Sequence, residues 1–174
     1  MKTTVYIAKS LDGYIARENG DIDWLDNIDN PGDEDFGYGE FIKGIDAIVI
    51  GRNTFEKVLT FKKWPYTKPV FVLSTTIKSI PEFLNGKAQL LSMKPREILD
   101  YLSENNYSNL YVDGGITIQK FLDENLIDEL IITEIPVLIG SGIPLFGNLR
   151  KDLWLKHKWT KTYPNGLVES CYVR

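Results

Sequence analysis

LYVDGGITIQKFL, residues 110–122, is the stretch on which the reading of the chain turns. Leu110, Tyr111 and Val112 form a short apolar run of the kind that makes a buried strand. Asp113 and two adjacent glycines, Gly114 and Gly115, follow, and then Ile116, Ile118, Phe121 and Leu122 in a helical pattern. A strand that breaks at Gly-Gly and runs directly into a helix leaves backbone N–H groups free at the helix start. Those groups and the helix dipole attract anions, and glycine lets a phosphate approach the backbone. The same glycines also suit a strand-to-helix turn that binds nothing, so the flanking sequence has to decide between the two.

Upstream, the strand–turn–helix pattern recurs. Residues 47–50, AIVI, are apolar throughout and predict a strand buried on both faces. Gly51 ends it, Asn53 or Thr54 can cap a helix, and Phe55, Val58 and Leu59 face inward. VFVL at 70–73 predicts another buried strand, followed by Ser74, Thr75 and Thr76; residues 88–91 make a weaker one. Pro95 opens a helix that uses Ile98, Leu99 and Leu102. At the start of the chain, TTVYIA (3–8) predicts a central strand and Asp12-Gly13 a turn. An acid-rich loop at 27–35 leads to a helix with Phe36, Phe41 and Ile42, ending near Gly44 as its C′ residue.

Downstream come a strand at 129–135 and a Gly/Pro-rich loop, PVLIGSGIPLFG, at 136–147. Alternating runs at 153–163 and 167–173 close the chain, joined by Pro164-Asn165-Gly166 with Asn-Gly in the hairpin position. Strands alternating with helices argue for parallel pairing in the first half, and the last two strands for an antiparallel edge. The fold class is therefore α/β, with residues 1–174 as a single domain.

Composition narrows the function. A net charge of −4 with scattered basic residues gives no nucleic-acid footprint. One cysteine, Cys171, and one histidine, His157, leave no room for a transition-metal site or an intrachain disulfide. His157 lies in an alternating strand pattern with no nucleophile motif beside it, which argues against a Ser-His-Asp triad. No apolar run is long enough to span a membrane, and the chain enters a strand with no signal-peptide core, so a cytoplasmic protein is expected.

Three strand ends carry polar turns: Gly51-Arg52-Asn53-Thr54, Ser74-Thr75-Thr76 and Asp113-Gly114-Gly115. Open α/β sheets bind ligands at the carboxyl ends of their strands. Arg52 offers a planar fork for phosphate, and hydroxyls at 54, 74 and 75 can add hydrogen bonds. The spacing is not Gly-x-Gly-x-x-Gly, so a nucleotide held here is not held in the usual Rossmann manner.

SLDGYIA (10–16), GDIDWL (20–25), DAIVIGRNTFE (46–56), VFVLST (70–75), LYVDGG (110–115) and PVLIGSGIPLF (136–146) occur in order across most of the chain. In these segments the chain resembles the dihydrofolate reductase-like superfamily, and more closely the RibD C-terminal family of riboflavin-biosynthesis reductases in a small stand-alone form. The resemblance implies one mixed, mostly parallel sheet flanked by helices, NADPH as cofactor, a small heterocyclic substrate of pyrimidine or pterin type, and a homodimer. It implies Gly51, Arg52, Asn53 and Thr54 at the cofactor phosphates, Ser74 and Thr75 near the adenosine end, and Gly114 and Gly115 at the pyrophosphate. Ala8 and the loop from Gly13 to Ile15 go beside the nicotinamide. Arg52 favours NADPH over NADH, because a 2′-phosphate wants a guanidinium.

A proton donor should be a carboxylic acid near the substrate with a raised pKa. The resemblance places such an acid on the helix between the first loop and the Gly-Arg turn, which falls on Asp35. Asp33 and Glu34 adjoin it, and all three can equally be solvated acids at a helix start. Glu134, in the strand before Pro136, is the other candidate. With only Cys171 and His157, these 174 residues offer no ligand set for the zinc deaminase domain that the full riboflavin enzyme carries. Beyond Lys9, Lys43 and Lys62-Lys63 no second basic cluster waits for a substrate phosphate. Dihydrofolate reduction, which PVLIGSGIPLF argues against, and a nucleotide-binding module without catalysis are the alternatives.

Overall fold

The computed structural model describes residues 1–174. Its centre is an eight-stranded sheet. In chain order the elements of its first half are β1 (Lys2–Ser10), β2 (Tyr14–Ala16), α1 (Tyr38–Lys43), β3 (Ala47–Gly51), α2 (Arg52–Val58), β4 (Val70–Leu73) and β5 (Ala88–Leu91). Then come α3 (Pro95–Glu104), β6 (Asn109–Asp113), α4 (Gly115–Asp123), β7 (Glu129–Ile135), β8 (Ile143–Pro144), β9 (Lys156–Thr162) and β10 (Val168–Val173). The spatial order is β5-β4-β3-β6-β1-β7-β10-β9. Neighbours from β5 to β7 pair parallel, while β10 pairs antiparallel with both β7 and β9. The short strands β2 and β8 form a separate antiparallel ribbon.

The continuous apolar runs behave as strands covered on both faces. Ala47, Ile48, Val49 and Ile50 are all fully buried. On one face Val49, Leu110 and Val112 pack with Ile98 and Leu102 of α3 and with Ile118, Phe121 and Leu122 of α4. On the other, Ile48, Ile50, Val70, Val72 and Tyr111 pack with Phe55 of α2. Pro95 starts α3, and Glu97 accepts the Lys94 backbone N–H at 2.9 Å, which satisfies one orphan donor of the first turn.

Several local expectations are revised. Gly44 sits at φ −80°, so α1 ends without a left-handed residue there. The left-handed positions lie before α1 instead, at Asp33, Phe36 and Gly37. Gly51, not Asn53 or Thr54, is the N-cap of α2. The last hairpin turns through three residues, closed by Tyr163 N–H to Leu167 O at 2.9 Å, with Gly166 at φ +87°. The Gly/Pro-rich loop folds back over the first loop. Leu11 N–H donates to Val137 O (2.9 Å), Gly140 N–H to Asp12 Oδ2 (2.8 Å) and Leu145 N–H to Gly13 O (3.0 Å). No helix is long and apolar enough to cross a membrane.

Candidate functional site

Strands β3 and β6 are neighbours and parallel, so their carboxyl ends finish side by side. Each runs into a helix through a glycine N-cap, Gly51 for α2 and Gly114 for α4. Each helix carries a threonine three residues on, Thr54 and Thr117. The two starts interlock reciprocally. A Cβ on Gly51 would lie 2.5 Å from Thr117 Oγ1, and one on Gly114 would collide with Thr54 Oγ1. Gly114 also holds φ +91°. Bare glycine on each side thus lets two helix N-termini come together at the strand ends, each with first-turn N–H groups that no helix carbonyl takes.

Gly115 is bare for another reason than the sequence suggests. A Cβ there would meet Ile15 Cδ1 at 2.8 Å and Ile143 at 3.4 Å, so the space it leaves is filled by the β2–β8 ribbon.

A cleft of about 970 Å³ runs along these strand ends, at the upper end of the size of small-molecule sites. Ala8, Ile15, Gly51, Arg52, Asn53, Thr54, Ser74, Thr75, Gly114 and Gly115 all line it. Gly13 does not: its φ of +92° serves the turn after β1, and its carbonyl is held by Leu145. By strand order the cleft has an outer end, at Ser74–Thr76 after β4 and 92–95 after β5, and an inner end at Tyr6–Ala8 of β1. Arg52 is exposed at the outer end. Its guanidinium touches only Asn53 Oδ1 (3.3 Å) and, at 4.0 Å, Glu56, so it is free to swing to an anion.

The inner end is aromatic. Tyr6, Tyr66 and Tyr111 line the cleft around Asp113, and Phe61 also lines the cleft. Tyr6 stacks on Phe41 (4.6 Å between ring centroids, 21° between planes) and donates to Phe36 O at 2.8 Å. Tyr111 donates to Tyr6 O at 2.9 Å. The Asp113 carboxylate accepts the Gly114 N–H at 2.7 Å and the Tyr66 hydroxyl at 3.4 Å. Burial pushes the Asp113 carboxyl above the usual range, and these hydrogen bonds only partly oppose it. Burial and the nearby Asp113 charge raise Tyr66 and Tyr111 as well, so both stay protonated donors.

The two acids singled out from the sequence lie elsewhere. Asp35 is exposed and does not line the cleft; its carboxylate accepts the N–H groups of Gly37 and Gly39, both at 2.9 Å, and these bonds lower its pKa. Glu134 also stands outside the cleft and is ion-paired with Lys9. Tyr6, Tyr66 and Thr117 line the cleft and were not singled out from the sequence, which offered Asp113 only as part of a polar turn and not as the acid. Gly-x-x-Thr occurs after both β3 and β6 and could have flagged Thr117. Nothing local marks Tyr6 or Tyr66. No group of three or more His, Cys, Asp or Glu side chains is placed to hold a metal ion.

The family described as the RibD C-terminal domain matches residues 2–168. The chain belongs to that family. Among its relatives is the uncharacterized protein YwjB of Bacillus subtilis strain 168, 40% identical over 99% of this chain and 98% of YwjB. A crystal structure from Shewanella sp. PV-4, provisionally named a riboflavin biosynthesis protein, is 43% identical and superposes with a TM-score of 0.96, over 100% of this chain and 99% of that one. The fold is shared more distantly with a diaminohydroxyphosphoribosylaminopyrimidine deaminase/5-amino-6-(5-phosphoribosylamino)uracil reductase from Thermotoga maritima, at TM-score 0.76 and 16% identity. That match covers 99% of this chain and 56% of the Thermotoga protein. The mixed, mostly parallel sheet with flanking helices and an antiparallel C-terminal hairpin is thus the architecture of RibD C-terminal domains and their structural neighbours.

Proposed function

We propose that this RibD C-terminal domain is an NADPH-dependent reductase of a small flat heterocycle. The observation that carries the reading is the convergence of two glycine-led helix starts beside a free arginine. Backbone N–H groups at Gly51–Thr54 and Gly114–Thr117 suit a pyrophosphate, and Arg52 with Ser74 and Thr75 suits a further phosphate on the adenosine side. Ala8 and Ile15 border the place for a nicotinamide, which when bound supplies the reducing equivalents. The chain's own part is to hold the two ligands face to face, exclude water with the β2–β8 ribbon, and pass a proton through Asp113. A carboxyl with a raised pKa in an aromatic chamber is suited to that task. Asp35 and Glu134, tied to other partners, are not assigned it. Titration calorimetry tests the reading. NADPH should bind, and more tightly than NADH; failure of both to bind removes it.

We further propose a homodimer formed through the C-terminal hairpin or the sheet edge beside it. Every residue of β9 is exposed, and Trp154 just before it is 87% exposed. A two-fold pair is the usual way to cover such a surface. Light scattering should give about twice the chain mass of 19.9 kDa; the monomer mass sinks the claim.

A further inference from the structure

The enzyme name carried by the Thermotoga structure includes a phosphoribosyl substrate, and such a substrate needs a cation or a helix start for its phosphate. The inner end of this cleft offers neither. Five cations line the cleft as a whole: Arg52, Lys57, Lys94, Lys120 and Arg150. Arg52 opens α2, Lys94 precedes α3 and Lys120 lies on α4, and none of them is hydrogen-bonded or ion-paired to Tyr6, Tyr66, Tyr111 or Asp113. Arg150 is paired with Asp123 at 3.0 Å. Lys57 alone reaches the loop that borders the inner end, and there its ammonium is paired with Asp21 at 3.0 Å. Lys9, whose backbone lies close by on β1, is bound to Glu134 and does not line the cleft. The two converging helix starts are the places the cofactor would use.

What the inner end does offer is flat walls and one acid. The rings of Tyr6 and Tyr111 are fixed by mutual packing with Phe41 (4.6 and 5.3 Å between centroids), and the ring of Tyr66 by Trp64 (5.3 Å). Their hydroxyls are already committed to Phe36 O, Tyr6 O and Asp113. Asp113 accepts two hydrogen bonds, one of them long, while a carboxylate has about four lone-pair sites. The spare acceptor capacity faces a chamber without a free cation, where a phosphate dianion would meet only like charge.

We infer that the inner end takes an unphosphorylated, uncharged flat ring that presents N–H groups to Asp113, and that it rejects the phosphoribosyl form of such a ring. The inference rests on the reductase reading for the placement of the cofactor, and it narrows the substrate to free heterocycles or their unphosphorylated sugar derivatives. Discrimination comes from an unpaired charge built against the wrong ligand rather than from a contact with the right one.

The test is calorimetric and needs no turnover. The full chain is saturated with NADP⁺ and titrated with neopterin and with neopterin monophosphate, flat aminopteridines that differ only in a phosphate. Neopterin should bind at least tenfold more tightly. Asp113→Asn should weaken neopterin at least tenfold while NADP⁺ binding persists, which also shows that the variant is folded. Phe61→Arg, which adds a cation to the cleft lining, should narrow or invert the preference. The inference is overturned if the phosphate form binds as well as or better than neopterin, if neither binds the loaded protein, or if Asp113→Asn leaves neopterin unchanged. Failure of NADP⁺ itself to bind is a different result and strikes the reductase reading first.

Discussion

The outer and inner ends of the cleft are built by opposite means. From its outer end to the middle of the sheet the cleft is made of backbone: turn hydroxyls and two glycine-led helix starts, with Arg52 left free to move. The inner end is made of side chains that fix one another, Tyr6 on Phe41, Phe41 against Tyr111, and Tyr66 over Asp113. A backbone site asks for small residues at a few positions and is insensitive to most others. A side-chain site depends on packing gathered from distant parts of the chain. The first arrangement suits a phosphate group, which needs N–H donors and charge; the second suits a particular ring, which needs shape.

The largest effect that would break this contrast is at Gly114. Gly114→Val introduces a branched side chain at φ +91° and drives it into Thr54. Backbone strain and overpacking together should cost roughly 2–6 kcal/mol, read by urea unfolding, and cofactor binding should be lost. Gly13→Ala, at a similar φ of +92° but with nothing within 4 Å, is the control and should cost only about 1–2 kcal/mol of strain. Equal costs would mean that the Gly–Thr interlock contributes nothing.

Asp113→Asn probes the inner end. Turnover of an accepted substrate should fall about a hundredfold or more if the acid supplies the proton, with NADPH affinity unchanged. Stability should move the other way. Because burial raises the folded pKa of Asp113 above its unfolded value, the native state bears the cost of a buried charge at neutral pH. That cost shrinks as pH falls below the folded pKa and is gone below the unfolded one. The variant should therefore be at least as stable as the parent at pH 7, with the difference shrinking toward acid. A variant less stable at pH 7, with no pH trend, would make Asp113 a structural acceptor only.

Arg52→Ala sharpens the outer end. Loss of a charge-assisted phosphate contact is worth about 1.5–3 kcal/mol, so NADPH should weaken roughly tenfold to a hundredfold while NADH is little changed. Equal weakening of both would move Arg52 to the pyrophosphate.

This division also explains what could be read from the sequence. Gly51-Arg52-Asn53-Thr54 and Asp113-Gly114-Gly115 are contiguous words whose meaning is local, since a helix start and its N–H groups are made by the residues that spell them. The runs at 47–50 and 70–73 were legible for the same reason: four apolar residues bounded by turns leave little besides a strand covered on both faces. The reason for Gly115 was not legible, because its neighbour is Ile15 across the chain and not a ligand. Nor was the inner end, whose residues 6, 66, 111 and 113 meet only when β1, β6 and the segment before β4 assemble. Asp35 shows what a spacing argument leaves out. Counting along the chain found an acid at the right distance, but the left-handed residues Phe36 and Gly37 turn the chain so that its carboxylate caps the start of α1 instead of entering the cleft.

The smallest expected effect is therefore at Asp35. Its carboxylate accepts the N–H groups of Gly37 and Gly39, and these bonds depress its pKa below the usual value. A depressed folded pKa means that its contribution to stability is present above the unfolded pKa and is lost as pH falls through the folded one. Asparagine keeps one acceptor oxygen of the two, so Asp35→Asn should lower the melting temperature slightly at neutral pH and not at all in acid. Because α1 carries Tyr38 and Phe41 against Tyr6, a loosened helix start can raise KM modestly by softening the inner wall. It should leave kcat and its pH profile where they were. A fall in kcat that steepens toward high pH would show a proton leaving from Asp35. The helix carrying it would then have to close over the inner end during the reaction, and the fixed aromatic chamber would be one state of a moving part.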